Sequence, residues 1–107
     1  MTRKIPIACD LGVFSPAQLE RHAALIARLS SEVVHTEELP NGFAFEFASD
    51  PGLLAEVSEW ISLERACCPF LNFDVALAPE RGRLRLRLTG GALVKEFLRQ
   101  EFGTFGR

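Results

Sequence analysis

Three stretches of this chain alternate apolar and polar residues with a period of two, and that alternation decides what kind of sheet it can build. Phe43, Phe45 and Phe47 share one face of a segment, and Leu71, Phe73, Val75 and Leu77 share one face of another. Leu84, Leu86 and Leu88 line a third, with Arg83, Arg85 and Arg87 on its opposite side. Strands buried on both faces read as continuous apolar runs, whereas one-sided strands require an antiparallel sheet with one face covered and one open to water. Val33 to Leu39 precedes the phenylalanine segment across Pro40-Asn41-Gly42, a hairpin signal, and Pro79-Glu80-Arg81-Gly82 joins the last two strands. Ile5, Ile7, Cys9 and Leu11 also alternate, and Pro6 makes this opening strand an edge or irregular one.

Between these strands lie three helical patterns. Ser15-Pro16-Ala17-Gln18 supplies an N-cap, a proline at the first helical position and a capping box, and predicts a helix from there to about Ser31. Leu19, His22, Ala23, Ile26, Leu29 and Ser30 follow at helical spacing. Asp50-Pro51 starts a second helix, whose stripe is Leu53, Leu54, Val57, Trp60 and Ile61 and which Pro69 must end. A third runs from Ala92 to Phe102 after the Gly90-Gly91 break. The order is β-α-β-β-α-β-β-α. It predicts an α+β two-layer sandwich with an antiparallel sheet and helices on one face, with a ferredoxin-like variant through the first six elements. The helix–hairpin units Ser15–Ala48 and Asp50–Thr89 share a topology, as a diverged internal duplication would. A length of 107 residues suits a single domain, residues 1–107.

Charge and composition narrow the partners. A formal net charge of −2 argues against nucleic acid. No apolar run approaches the roughly 20 residues of a membrane span. The arginine face reads as a salt-bridged sheet surface open to solvent or as the contact of a homodimer. The three cysteines, Cys9, Cys67 and Cys68, are odd in number and two are adjacent, unlike a disulfide scaffold. The amino-terminal apolar stretch, Ile5 to Cys9, is too short for a secretory signal. A cytoplasmic protein with reduced thiols is expected.

Candidate chemistry concentrates at the end of the second helix. Advancing about 100° per residue from Leu53 puts Val57, Trp60, Ile61, Glu64, Cys67 and Cys68 in one stripe. A carboxylate there must be near the surface, paired with a cation or protonated, because an unpaired buried charge is very costly. Pro69 biases Cys68 towards extended backbone, so the two sulfurs can converge at the break. Cys9, facing inward from the first strand, is a third candidate sulfur. Thiolates favour soft or borderline ions, which makes Cys9, Cys67, Cys68 and Glu64 a candidate metal site, with Glu64 as a ligand or as a base behind one. The helix C-terminus opposes thiolate formation, which weighs against a thiol oxidoreductase. His22, on the apolar stripe, reads more often as a hydrogen-bonded core residue than as a ligand, and His35 has no legible partner. No serine-protease, zincin or phosphate-loop motif is present.

Glu64-Arg65-Ala66-Cys67-Cys68-Pro69-Phe70-Leu71-Asn72-Phe73 resembles the E-R-x-C-C-P-F-hydrophobic-x-F segment of a family of small, largely uncharacterised bacterial proteins. Thr89-Gly90-Gly91, Lys95-Glu96-Phe97-Leu98 and the position of Cys9 are similar to that family too. The resemblance implies handling of a soft metal or metalloid and brings no assigned reaction. The leading expectation is therefore binding of a thiophilic metal or metalloid through a cysteine cluster. Its rivals are a non-enzymatic interaction or dimer module with structural cysteines, and a thiol-dependent enzyme with Glu64 as base.

Overall fold

A computed structural model describes residues 10–102. The expected opening strand falls mostly on residues 5–9, outside those described, and Leu11 opens a short 3-10 turn, Leu11–Val13. The described elements then run α1 (Pro16–Glu32), β1 (Val33–Leu39), β2 (Gly42–Phe47), α2 (Leu53–Cys67), β3 (Asn72–Leu77), β4 (Leu84–Thr89) and α3 (Ala92–Phe102). This is an α+β two-layer fold with a four-stranded antiparallel sheet.

Helix α1 begins as its sequence dictates. Ser15 Oγ accepts from the Gln18 amide at 3.2 Å, and Gln18 Oε1 accepts from the Ser15 amide at 2.9 Å, so two donors left over at the helix start are satisfied reciprocally. The buried stripe is His22, Leu25 and Leu29, with Ile26 partly buried. Leu25 replaces the expected Leu19 and Ala23, which are exposed. The inward face is set by packing on α2, and it lies to one side of a stripe drawn through the first apolar residue.

Helix α2 starts at Leu53, later than Asp50-Pro51 suggested. Asp50 is engaged elsewhere: Oδ1 accepts from the Gly52 amide at 2.8 Å in a local turn, and Oδ2 lies 3.0 Å from Arg28 Nη2. Arg28 also faces Glu56, as well as Glu32 of its own helix, while Arg21 meets Glu59 at 2.6 Å, so Arg21 and Arg28 of α1 bridge to acids of α2 and its leading loop. These pairs are half exposed and individually weak. Their contribution is to fix which faces of α1 and α2 meet. The helix ends at Cys67, and Cys68, at φ −128°, ψ 69°, has left the helical region that a following proline disfavours.

The strand order is β1-β2-β4-β3, with every neighbouring pair antiparallel. A ferredoxin-like order would seat an opening strand between β2 and β3; here β4 fills that place. Register aligns Phe43, Phe45 and Phe47 with Leu88, Leu86 and Leu84, and these in turn with Phe73, Val75 and Leu77. The expected apolar face is thus continuous across three strands. Phe45, Phe47, Leu84, Leu86 and Leu88 are buried with Trp60, Leu25, Leu29 and Leu71. Val75 and Leu77 lie in the same rows yet are 41% and 58% exposed, because β3 is the edge strand. On the other face Arg83 pairs with Glu46 at 3.3 Å and Arg85 with Glu37 at 2.9 Å, a salt-bridged surface. Gly42 is required where β2 meets β4, since a Cβ there would lie 1.9 Å from the Leu88 carbonyl oxygen. No described helix is long and apolar enough to cross a membrane.

The β3–β4 turn is strained. The Gly82 amide donates to the Pro79 carbonyl at 3.1 Å, and the two residues between, Glu80 and Arg81, have φ of 59° and 58°. Side chains with a Cβ resist that left-handed region, and such turns prefer Asn-Gly. Glu80→Asn combined with Arg81→Gly should raise stability by about 1 kcal/mol, seen as a higher urea midpoint with an unchanged slope.

Candidate metal centre

The site forms where α1, the end of α2 and the segment before α1 meet. Glu64 and Cys67 lie three residues apart on α2, so their side chains project from the same face of its last turn. His22 approaches from α1, within its buried stripe. The Asp10 amide donates to the Cys67 carbonyl at 2.9 Å, which ties the chain before Leu11–Val13 across the end of α2. Phe14 covers the outside, with its ring 5.3 Å from that of His22. Glu64 is 1% exposed, Cys67 and Cys68 are fully buried, and His22 is 8% exposed.

Within this enclosure Glu64 Oε2 lies 2.6 Å from His22 Nε2, and Glu64 Oε1 lies 3.2 Å from Cys68 Sγ. Cys67 Sγ sits 3.6 Å from Cys68 Sγ and donates to the Glu64 carbonyl at 3.6 Å. One donor atom from each of His22, Glu64 and Cys67 falls within 4.8 Å of the others. The group therefore offers a nitrogen, an oxygen and a sulfur to one small volume, and together they can hold a metal ion.

Electrostatics distinguish what this arrangement can do. Burial, and next the negative charge of Glu64, push the Cys67 thiol up to about 12. The end of α2 adds the negative end of its dipole. With no cation bound, Cys67 is a poor nucleophile near neutral pH, which counts against the thiol-enzyme alternative. The same field attracts a cation, and a coordinated metal deprotonates a thiol directly.

The structure unites part of the predicted set and adds to it. Glu64, Cys67 and Cys68 do converge at the helix break, with the sulfurs on one side. Cys68 is disulfide-bonded, so the expectation of uniformly reduced thiols is not met, and Cys67 is the free thiol among the described residues. Cys9 lies outside the described residues. His22, which the sequence alone reads as a core residue more often than a ligand, joins the group; its one sequence signal is a histidine on the apolar stripe of its helix. His35 is exposed on β1, away from this group. Comparison with protein-family models, curated proteins and solved structures finds no match for the chain.

Two outcomes follow for the metal-free protein. His22→Ala takes the imidazole from a buried carboxylate and should destabilise the protein in chemical denaturation by about 3 kcal/mol, whereas His22→Gln, which keeps a donor, should cost less. For Cys67 the folded state holds its proton more tightly than the unfolded chain does. The unfolded chain therefore ionises first as pH rises, and stability falls above the ordinary thiol range near pH 9 and towards 12. Urea midpoints of the protein should drop between pH 8 and 10.5 by more than those of Cys67→Ala.

Proposed function

We propose that this protein binds a borderline transition-metal ion, of the zinc or cobalt(II) kind, through His22, Glu64 and Cys67. The observation that carries the reading is the buried convergence of three different donor types within 4.8 Å. Imidazole, carboxylate and thiolate together suit borderline ions, whereas magnesium and calcium prefer all-oxygen sites. A softer metal or metalloid, suggested by the resemblance at Glu64 to Phe73, would rely on sulfur beyond that of Cys67. A bound divalent ion also answers the cost of the site, since it compensates the charges of a buried carboxylate and a buried thiolate. Glu64 and Cys67 stand in the last turn of α2, at its negative end, which favours a cation over an anionic ligand.

Three protein donors leave one tetrahedral position free. Such sites carry a water or exchangeable ligand, in contrast to closed structural sites with four protein ligands. The ion at this site is therefore one that is carried, sensed or offered to a small ligand, in a cytoplasmic protein that acts as a monomer or as a homodimer through its arginine face.

Titration of the purified protein with cobalt(II), followed by its ligand-field and sulfur-to-metal absorption, tests this reading. One ion per chain with a thiolate charge-transfer band is expected, displaced by zinc. Cys67→Ser should abolish that band. Glu64→Gln and His22→Gln should each weaken binding by more than about 100-fold, beyond the 10–100-fold typical of residues that only support a ligand. Absence of stoichiometric binding by the protein at neutral pH would remove the metal reading and leave the interaction module.

A further inference from the structure

Where the start of α2 meets the end of β3 and the start of β4 there is a cleft of about 710 Å³, at the opposite end of α2 from Glu64 and Cys67. Small-molecule sites commonly enclose roughly 300–1,000 Å³ and combine apolar walls with a few polar groups. The walls here are aliphatic. Leu77 and Leu84, register partners on β3 and β4, form the sheet side, and Leu54 and Pro51 come from α2 and the segment leading into it. Leu77 is 58% exposed and Leu54 39%, so apolar surface that the core does not cover lies open at this cleft. Its polar groups are few and unequal. Asp50 is already answered, by Arg28 at 3.0 Å and the Gly52 amide at 2.8 Å. Arg81 is the cation among the lining residues, and its guanidinium has no ion-pair partner among the described residues.

The backbone holds Arg81 there at a cost. Glu80 and Arg81 sit at φ 59° and 58°, which side chains with a Cβ resist and which Asn-Gly would relieve. Strain of this kind persists only where the surroundings over-determine it, and it gathers at ligand clamps. Ser49 supplies such a restraint: its Oγ donates to the Arg81 carbonyl and fastens the turn to the segment leading into α2. Both residues line the cleft.

We propose that this cleft binds an aliphatic monocarboxylate, its chain against Leu54, Leu77 and Leu84 and its carboxylate on the Arg81 guanidinium. The planar guanidinium fork matches a carboxylate through two parallel hydrogen bonds. One unpaired cation answers one negative charge. Asp50 in the same lining repels a second, which disfavours a phosphate ester. No aromatic ring lines the cleft, so nothing offers a stacked or edge-on partner to an aromatic ligand, and an aliphatic chain matches the leucines. This site stands independently of the metal reading.

NMR titration of the isotope-labelled full chain with decanoate, below its micelle range and without added metal, tests the proposal. One saturable site is expected, with shifts at Leu54, Leu77, Arg81 and Leu84 and none at His22 or Glu64. Decanol, the same chain without the charge, should bind at least about tenfold more weakly, because the hydrogen bonds to a charged group are lost. Decyl phosphate should also bind more weakly than decanoate. Glu80→Asn combined with Arg81→Gly should lower decanoate affinity by at least about tenfold while raising the urea midpoint, so that lost binding is not lost fold. Leu77→Asp, at an exposed position on an edge strand, should abolish binding with an unchanged circular dichroism spectrum. Equal affinity for decanoate and decanol, or equal decanoate affinity in the parent and the turn variant, would overturn the role of Arg81 and the carboxylate class with it. Tighter binding of decyl phosphate would overturn that class too. Absence of saturable binding, or shifts confined to other residues, would overturn the site.

Discussion

A carboxylate with 1% exposure sits at the joint between two helices, and the rest of this architecture is arranged around its partner. Glu64 lost its hydration when α2 packed, and a group in that position must find compensation inside the protein. His22 supplies it at 2.6 Å from the facing helix. That one contact requires α1 and α2 to pack in a single register. The surface pairs of Arg21 with Glu59 and Arg28 with Glu56 hold the same register further along. Hydrophobic contact among Leu25, Leu29, Val57 and Trp60 would tolerate a helix sliding by a turn; a buried acid and a buried imidazole would not. Specificity of packing here comes from polar residues, and bulk stabilisation from the apolar ones.

Much of this was legible in the sequence because it rests on local chemistry. Ser15-Pro16-Ala17-Gln18 reads as a capping box and forms one. Leu84, Leu86 and Leu88 alternate with arginines and face inward as alternation demands. Pro69 stops α2 where a ring without an amide hydrogen must. What was not legible depends on partners distant along the chain. Asp50 looks like a helix cap, yet Arg28, 22 residues earlier, draws it into an ion pair, and the helix starts at Leu53. Val75 and Leu77 look like core, but only the strand order reveals that they stand at an edge. Glu64 and the cysteine pair stood out as candidates from helical phase alone. His22 could not be joined to them, because helical phase gives the face of each helix and not which faces meet.

The topology gives the two helix–hairpin units a geometric relation. An α-β-β unit occurs twice, and the order β1-β2-β4-β3 places the second strands of the two units side by side and antiparallel. That is the arrangement of a local two-fold axis through the middle of the sheet. Equivalent turns are tied down in equivalent ways: the Gly90 amide donates to the Asn41 carbonyl beyond one hairpin, and Ser49 Oγ donates to the Arg81 carbonyl beyond the other. The histidine, the acid and the cysteines depart from that symmetry. The repeated topology supplies a sheet and a helix layer, and the polar groups stand at one end of one unit.

Enclosure at the end of a helix has a consequence for time rather than for affinity. The Cys67 carbonyl is held by the Asp10 amide, the Cys68 amide by the Glu64 carbonyl at 2.7 Å, and the Leu71 amide by the Cys68 carbonyl at 3.3 Å. On the proposed metal reading, an ion would reach these donors as that last turn frays. Helix ends open far more often than whole domains unfold. The residence time of such an ion would then follow the fraying rate of a single turn. A change as distant as a better cap over Cys67 would slow entry and exit together while leaving the equilibrium between bound and free ion where it was.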